Sequence, residues 1–197
     1  MQPSTRRALQ QRLQSHKIVS LRCKPIMAVR EIKVFGQAVL SRRAEPITNI
    51  DDAVTELARD MVLTMHQAPG LGLSAPQVDV SRRLITVDLS VGKDNRELIV
   101  LINPRIIAKE GESVAEEGCL SVPGVFEKIS RPLRVEVKGV DLEGRERIFE
   151  ARELLARVLC HEIDHLDGKL FIERLSPLKR QLLKRRLRKE LRLTCER

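Results

Sequence analysis

Apolar residues recur at helical spacing from Ile50 onward: Ile50, Val54, Leu57, Met61, Val62 and Met65 mark one face of a helix that ends near Gly70. Thr48 or Asn49 is the expected cap, with Asp51 and Asp52 in the first turn. The pattern then changes to short apolar runs. LITVDL (84–89) and LIVLINPRII (98–107) read as strands, and PLRVEVKGV followed by DLEG and RERIFE reads as a hairpin. Helical periodicity returns over 151–167, where Gly168 is placed to stop it. It returns again from Ser176, with Pro177 at the first helical position and Leu178, Leu182, Leu183, Leu187 and Leu191 opposite a dense basic face. This order predicts an α+β fold: a sheet-rich body around a central helix, closed by a C-terminal amphipathic basic helix over 177–194.

The central helix breaks its own polarity rule. Leu154, Leu155, Val158 and Leu159 define an apolar stripe, and steps of four or seven from them land on His161, Glu162 and His165. Burying such groups without partners costs roughly 2–7 kcal/mol each, so the stripe needs a compensating interaction. A divalent metal supplies one, because H-E-x-x-H on a helix puts two imidazoles on one face and a carboxylate beside them as a general base. Cys160 points about 100° away from His161 and is expected to be a small core residue.

Two histidines make a poor site, and the third ligand decides the chemistry. Downstream of His165 there is no further histidine; Asp167 is too near on the same helix, Glu190 and Glu196 sit in the basic tail, and Glu173 remains a candidate. Upstream, EEGCLSVPG (116–124) holds Cys119 in a non-helical segment between strands, from which a thiolate can approach a helix-borne metal. A further stretch, GLGLSAPQ (70–77), has glycines that allow close backbone approach and ends on the amide of Gln77. It lacks the lysine of a phosphate-binding loop and the third glycine of a dinucleotide fingerprint.

Charge and composition narrow the setting. The chain has 197 residues, 42% hydrophobic, with no repeat, no linker and no apolar run long enough to span a bilayer, so one domain with tails is expected. The net charge of +9 is concentrated at the ends. Residues 1–30 carry seven basic side chains and no acidic one, residues 177–197 carry nine against Glu190 and Glu196, and the stretch between them is mildly acidic. Residues 1–26 lack the apolar core of a secretory signal and are expected to be a dispensable, disordered basic extension, with organelle import as the alternative. The four cysteines show no disulfide spacing, which suits reduced thiols in a cytoplasmic compartment.

GLGLSAPQ, EGCLS and HEIDH, in this order and at these separations, resemble the three signature motifs of the peptide deformylases, and the resemblance runs from about Met27 into the C-terminal helix. It implies a single catalytic domain over 27–197, with Cys119, His161 and His165 as metal ligands and Glu162 as acid/base. It further implies an oxyanion hole from the Gln77 amide and the Leu120 N–H, and peptide pairing along Gly70, Leu71 and Gly72. The implied ion is Fe²⁺, with Zn²⁺, Ni²⁺ or Co²⁺ able to substitute; the implied substrate is an N-formylmethionyl peptide or nascent chain, and the implied partner of the basic helix is the ribosome. Ser74 departs from the family, which commonly has alanine there, and VFGQAVL (34–40) replaces a proline-rich segment. Arg131 and Asp164 are candidates for an ion pair that holds the metal helix. The competing expectations are an H-E-x-x-H metallopeptidase and a non-catalytic ribosome- or RNA-binding protein.

Overall fold

In the computed structural model, residues 28–94 and 97–195 are described; the extension expected for residues 1–26 lies outside them. The first helix, α1 (Asp52–Gln67), buries Val54, Leu57, Ala58, Met61 and Met65. Its cap is Asp51, whose carboxylate accepts from the Val54 N–H at 3.0 Å, rather than Thr48 or Asn49. A charged acceptor at this end also meets the positive pole of the helix dipole.

Five antiparallel strands form the main sheet in the order β1-β2-β3-β6-β7: β1 (Gly72–Ser74), β2 (Leu84–Val87), β3 (Ile99–Glu110), β6 (Arg134–Val140) and β7 (Glu146–Arg152). The remaining two strands, β4 (Ser113–Cys119) and β5 (Val122–Arg131), make a separate hairpin. The expected hairpin is β6–β7. The short strand β1, which begins on the second glycine of GLGLSAPQ, has no signal of its own in the apolar pattern, because three residues are too few to display alternation.

The central helix α2 is Glu153–Leu166, two residues shorter at its start than expected, because Ala151 and Arg152 complete the β7 ladder opposite Val135 and Arg134. Leu159, Ile163 and Leu166 of α2 pack with Ile85, Val87, Leu101, Val135 and Val137 of the sheet. Leu154 is an exception to the expected stripe: it is 49% exposed. Gly168 ends the helix at φ 71°, and a Cβ there would lie 2.9 Å from the Arg42 backbone, so both conformation and space require glycine.

The C-terminal helix α3 (Pro177–Cys195) packs through Leu183 and Leu187 onto Val122, Val125 and Ile129 of the β4–β5 hairpin and onto the 3₁₀ turn Phe171–Arg174. Leu178 and Leu182, expected in the same stripe, are exposed at 68% and 58%. Leu182 precedes Leu183 by one position and so points about 100° away, while Leu178 lies further round still.

Candidate metal centre and active site

Three elements converge on one point. The helix α2 projects His161 and His165 from successive turns, with their ring centroids 4.9 Å apart and their Nε2 atoms 3.2 Å apart. Cys119 closes β4 where the hairpin turns through Leu120 and Ser121, and its Sγ lies 3.2 Å from His165 Nε2. One donor atom from each of the three lies within 4.8 Å of the others. A tetrahedral ion with metal–nitrogen distances of about 2.0–2.1 Å and a metal–sulfur distance of about 2.3 Å holds its ligands roughly 3.3–3.6 Å apart, close to the spacing seen.

The crowded donors shift one another's proton affinity. Burial disfavours the charged form of His161, but hydrogen bonding to Cys119 and Glu117 outweighs it and draws the ring's pKa upward. Burial and the neighbouring His161 push His165 well below its ordinary value. One proton cannot serve three crowded donors, whereas a divalent ion binds two neutral imidazoles and a thiolate at once. Glu173, the other candidate ligand, is engaged by Arg180 and Lys184 of α3, and Asp167 is bonded to Arg83 at 2.8 Å.

Glu162 lies on the same helix face, 3% exposed, and burial pushes its carboxyl up to about 7. Its Oε2 has no hydrogen-bond partner among the described residues. Its other oxygen lies against β1, so that a Cβ at Gly72 would stand 2.5 Å from Oε1. The second glycine of GLGLSAPQ is thus required by the carboxylate beside it.

Gln77 stands in the 3₁₀ turn Ala75–Val78, with Oε1 accepting from the Ser74 N–H and hydroxyl, both at 2.8 Å. That fixes the amide's orientation, and Nε2 donates to Ser121 Oγ at 3.2 Å and faces Cys119 Sγ at 3.7 Å. These groups open onto a cleft of about 520 Å³ lined by Gly70, Leu71, Gly72, Leu120, Phe126 and Leu154, among others. The motifs singled out in the sequence therefore meet at one cleft.

Behind the three candidate ligands runs a charged layer that the sequence only partly disclosed. Arg131 reaches Asp164, as expected, but it also grips Glu117 with two bonds of 2.9 Å, and Asp164 takes two further bonds of 2.6 Å from Arg174. Glu117, which had not been singled out, accepts from Arg157 at 2.7 Å and meets His161 Nδ1 at 3.1 Å. Burial works against the Glu117 carboxylate, yet His161 and Arg131 outweigh it and hold the pKa down at about 2. Glu117 thereby orients the His161 ring it touches. The signal that could have found it is its position two residues before Cys119 in an extended segment, on the strand face that is buried.

The polypeptide deformylase family model matches residues 29–181. The chain belongs to this family. Deformylases of similar sequence include one from Thermodesulfovibrio yellowstonii, 51% identical over 162 residues that cover 82% of this chain and 98% of the relative. The crystal structure of a peptide deformylase from Legionella pneumophila superposes with a TM-score of 0.78 at 42% identity, covering 86% of this chain and 99% of that one. A third, from Acinetobacter baumannii and solved with Met-Ala-Ser bound, gives a TM-score of 0.71 at 32% identity over 76% of this chain and all of its own. The chain is accordingly a metal-dependent hydrolase that removes the formyl group from an N-terminal methionine. Deformylase membership displaces both competing expectations, the metallopeptidase and the non-catalytic RNA-binding protein.

Proposed function

We propose that Cys119, His161 and His165 hold the metal, that Glu162 is the acid/base, and that the Gln77 amide and the Leu120 N–H receive the formyl oxygen. The observation that carries this reading is the orphaned Oε2 of Glu162, a buried acceptor beside three convergent donors and a cleft. When bound there, a divalent cation supplies a Lewis acid that acidifies the attacking water. Fe²⁺ is the ion we assign, with Zn²⁺, Ni²⁺ or Co²⁺ as substitutes.

Glu162 takes the proton of the water that attacks the formyl carbon. Negative charge gathers on the formyl oxygen, which takes the Gln77 N–H that otherwise faces Cys119 Sγ at 3.7 Å, while the bonds to Ser74 and Ser121 hold the amide in place. As the carbon–nitrogen bond breaks, Glu162 returns that proton to the departing amine of methionine, and formate leaves.

The peptide pairs with β1, the edge strand of the main sheet. Leu71 accepts from the Asp88 N–H at 2.9 Å on the β2 side, so by strand alternation it is the N–H and C=O of Gly72 that face the open edge. Backbone pairing suits an enzyme that must accept many sequences. The Acinetobacter baumannii relative, solved with Met-Ala-Ser bound, supports a peptide as the occupant. We further assign the protein to the cytoplasm and the exposed basic face of α3 to docking on ribosomal RNA.

Glu162→Gln tests the core of the reading. Formate release from a formyl-Met peptide should fall by about 10²–10⁴ while metal content stays at the wild-type level. Unchanged turnover would sink the assignment.

A further inference from the structure

We infer that the hydroxyl of Ser74 is a positioning group for the reaction, fixing the plane of the Gln77 amide. The inference rests on the proposed role of Gln77 as a donor to the formyl oxygen.

Glutamine is a poor fixed donor when left to itself, because its terminal torsion is broad and a single hydrogen bond lets the amide rock about that contact. At Gln77 both ends are held. Oε1 accepts from two directions on one residue, the backbone N–H and the side-chain hydroxyl of Ser74, each at 2.8 Å. Nε2 donates to Ser121 Oγ at 3.2 Å and to Cys119 Sγ at 3.7 Å, and the long thiol contact is the one a substrate oxygen would displace. Ser74 and Gln77 are 0% and 1% exposed, so water does not compete for these bonds.

Two acceptor contacts at Oε1 do more than restrain rotation. They polarise the amide, which makes the opposite N–H a stronger donor to a developing negative charge. A side chain without a hydroxyl at position 74 would keep the backbone bond and lose the second restraint. The loss would be felt where charge builds up, in the transition state, rather than in substrate binding.

The experiment is a double-mutant cycle of Ser74→Ala and Gln77→Ala on the full chain, with kcat and KM measured on a formyl-Met peptide and with metal content and thermal midpoint recorded for every variant. Ser74→Ala alone should lower kcat roughly three- to tenfold and leave KM in place, the range expected for loss of one hydrogen bond. In the Gln77→Ala background the same substitution should change kcat by less than about twofold, because the group it acts through is gone. Equal losses in both backgrounds would mean a general structural role and would overturn the inference. So would full turnover of Ser74→Ala beside a slow Gln77→Ala, which leaves the oxyanion reading standing. Full turnover of Gln77→Ala would instead sink the oxyanion reading, and the inference with it. Independently of turnover, the side-chain amide protons of Gln77 should exchange with solvent severalfold faster in Ser74→Ala, and unchanged exchange would also count against the role.

Discussion

Cys119 and Cys160 separate two uses of a thiol. Cys119 sits at a hairpin turn against His165, whereas Cys160 is 3% exposed among Leu159, Ile163 and the sheet, and burial pushes its thiol up. Cys119→Ala should therefore lose the metal and Cys160→Ala should keep it, as metal analysis of the purified variants would read directly; equal contents would overturn the ligand assignment. Glu117 is the residue whose role is least visible from its type. Its carboxylate receives Arg131, Arg157 and His161, so Glu117→Gln weakens three partners at once. Metal affinity in that variant should fall by roughly 10–100-fold in a chelator competition, the usual effect of losing a group that orients a ligand. Thermal stability should fall too, because buried Arg157 loses its carboxylate partner and Arg131 keeps only Asp164.

Each element is held at the ends that matter for the site. The strand β2 is followed by Asp88, 1% exposed at its side chain, which accepts from the Ser90 N–H and hydroxyl and the Gly92 N–H and bonds His66 Nε2 at 2.7 Å. Its own N–H holds Leu71 beside the cleft, so this residue ties the end of α1 to the start of the edge strand β1. Burial works against the Asp88 carboxylate, but the bonds from Ser90, Gly92 and His66 outweigh it and lower the pKa below 3.8. The stabilisation it contributes is thus complete above about pH 5 and is lost as pH falls through the lowered folded value. Asp88→Asn should melt below the wild type at pH 7, and the gap should narrow at pH 3 in thermal unfolding; a gap independent of pH would refute the linkage. At the other end of the metal helix, Gly168→Ala places a Cβ against the Arg42 backbone at positive φ. It should destabilise by more than about 1 kcal/mol in denaturant unfolding.

For the molecule as a whole, α3 is both a structural and a surface element. Removing residues 177–197 would strip Leu183 and Leu187 from the hairpin core that carries Cys119, so a deletion confounds docking with folding. Charge substitutions separate them. Arg185, Arg188 and Lys189 lie on exposed positions of α3, and changing all three to Glu should abolish binding to ribosomes while hydrolysis of free formyl-Met peptides is retained. Sedimentation with ribosomes at increasing salt checks both the binding and its electrostatic origin. Undiminished binding by the triple variant would exclude this face.

What the sequence by itself determined is local chemistry and period: the H-E-x-x-H face of α2, the strand runs, the glycine stop at 168, and motifs whose order and spacing resembled one family. These were legible because helical and strand periods write themselves into neighbouring positions. Tertiary structure decided what crosses from element to element. The sequence left Cys119 and Glu173 as rival ligands, and only the packing of the β4–β5 hairpin on α2 brings the thiol to the histidines and sends Glu173 to α3. Likewise, Glu117 became an orienting group through its strand face, Ser74 through a turn that folds Gln77 back onto it, and Leu182 became solvent-exposed because the body covers one side of α3 only. Contacts between residues 40 or more positions apart, such as Gln77 with Cys119 and Cys119 with His165, leave no periodic trace in a single chain.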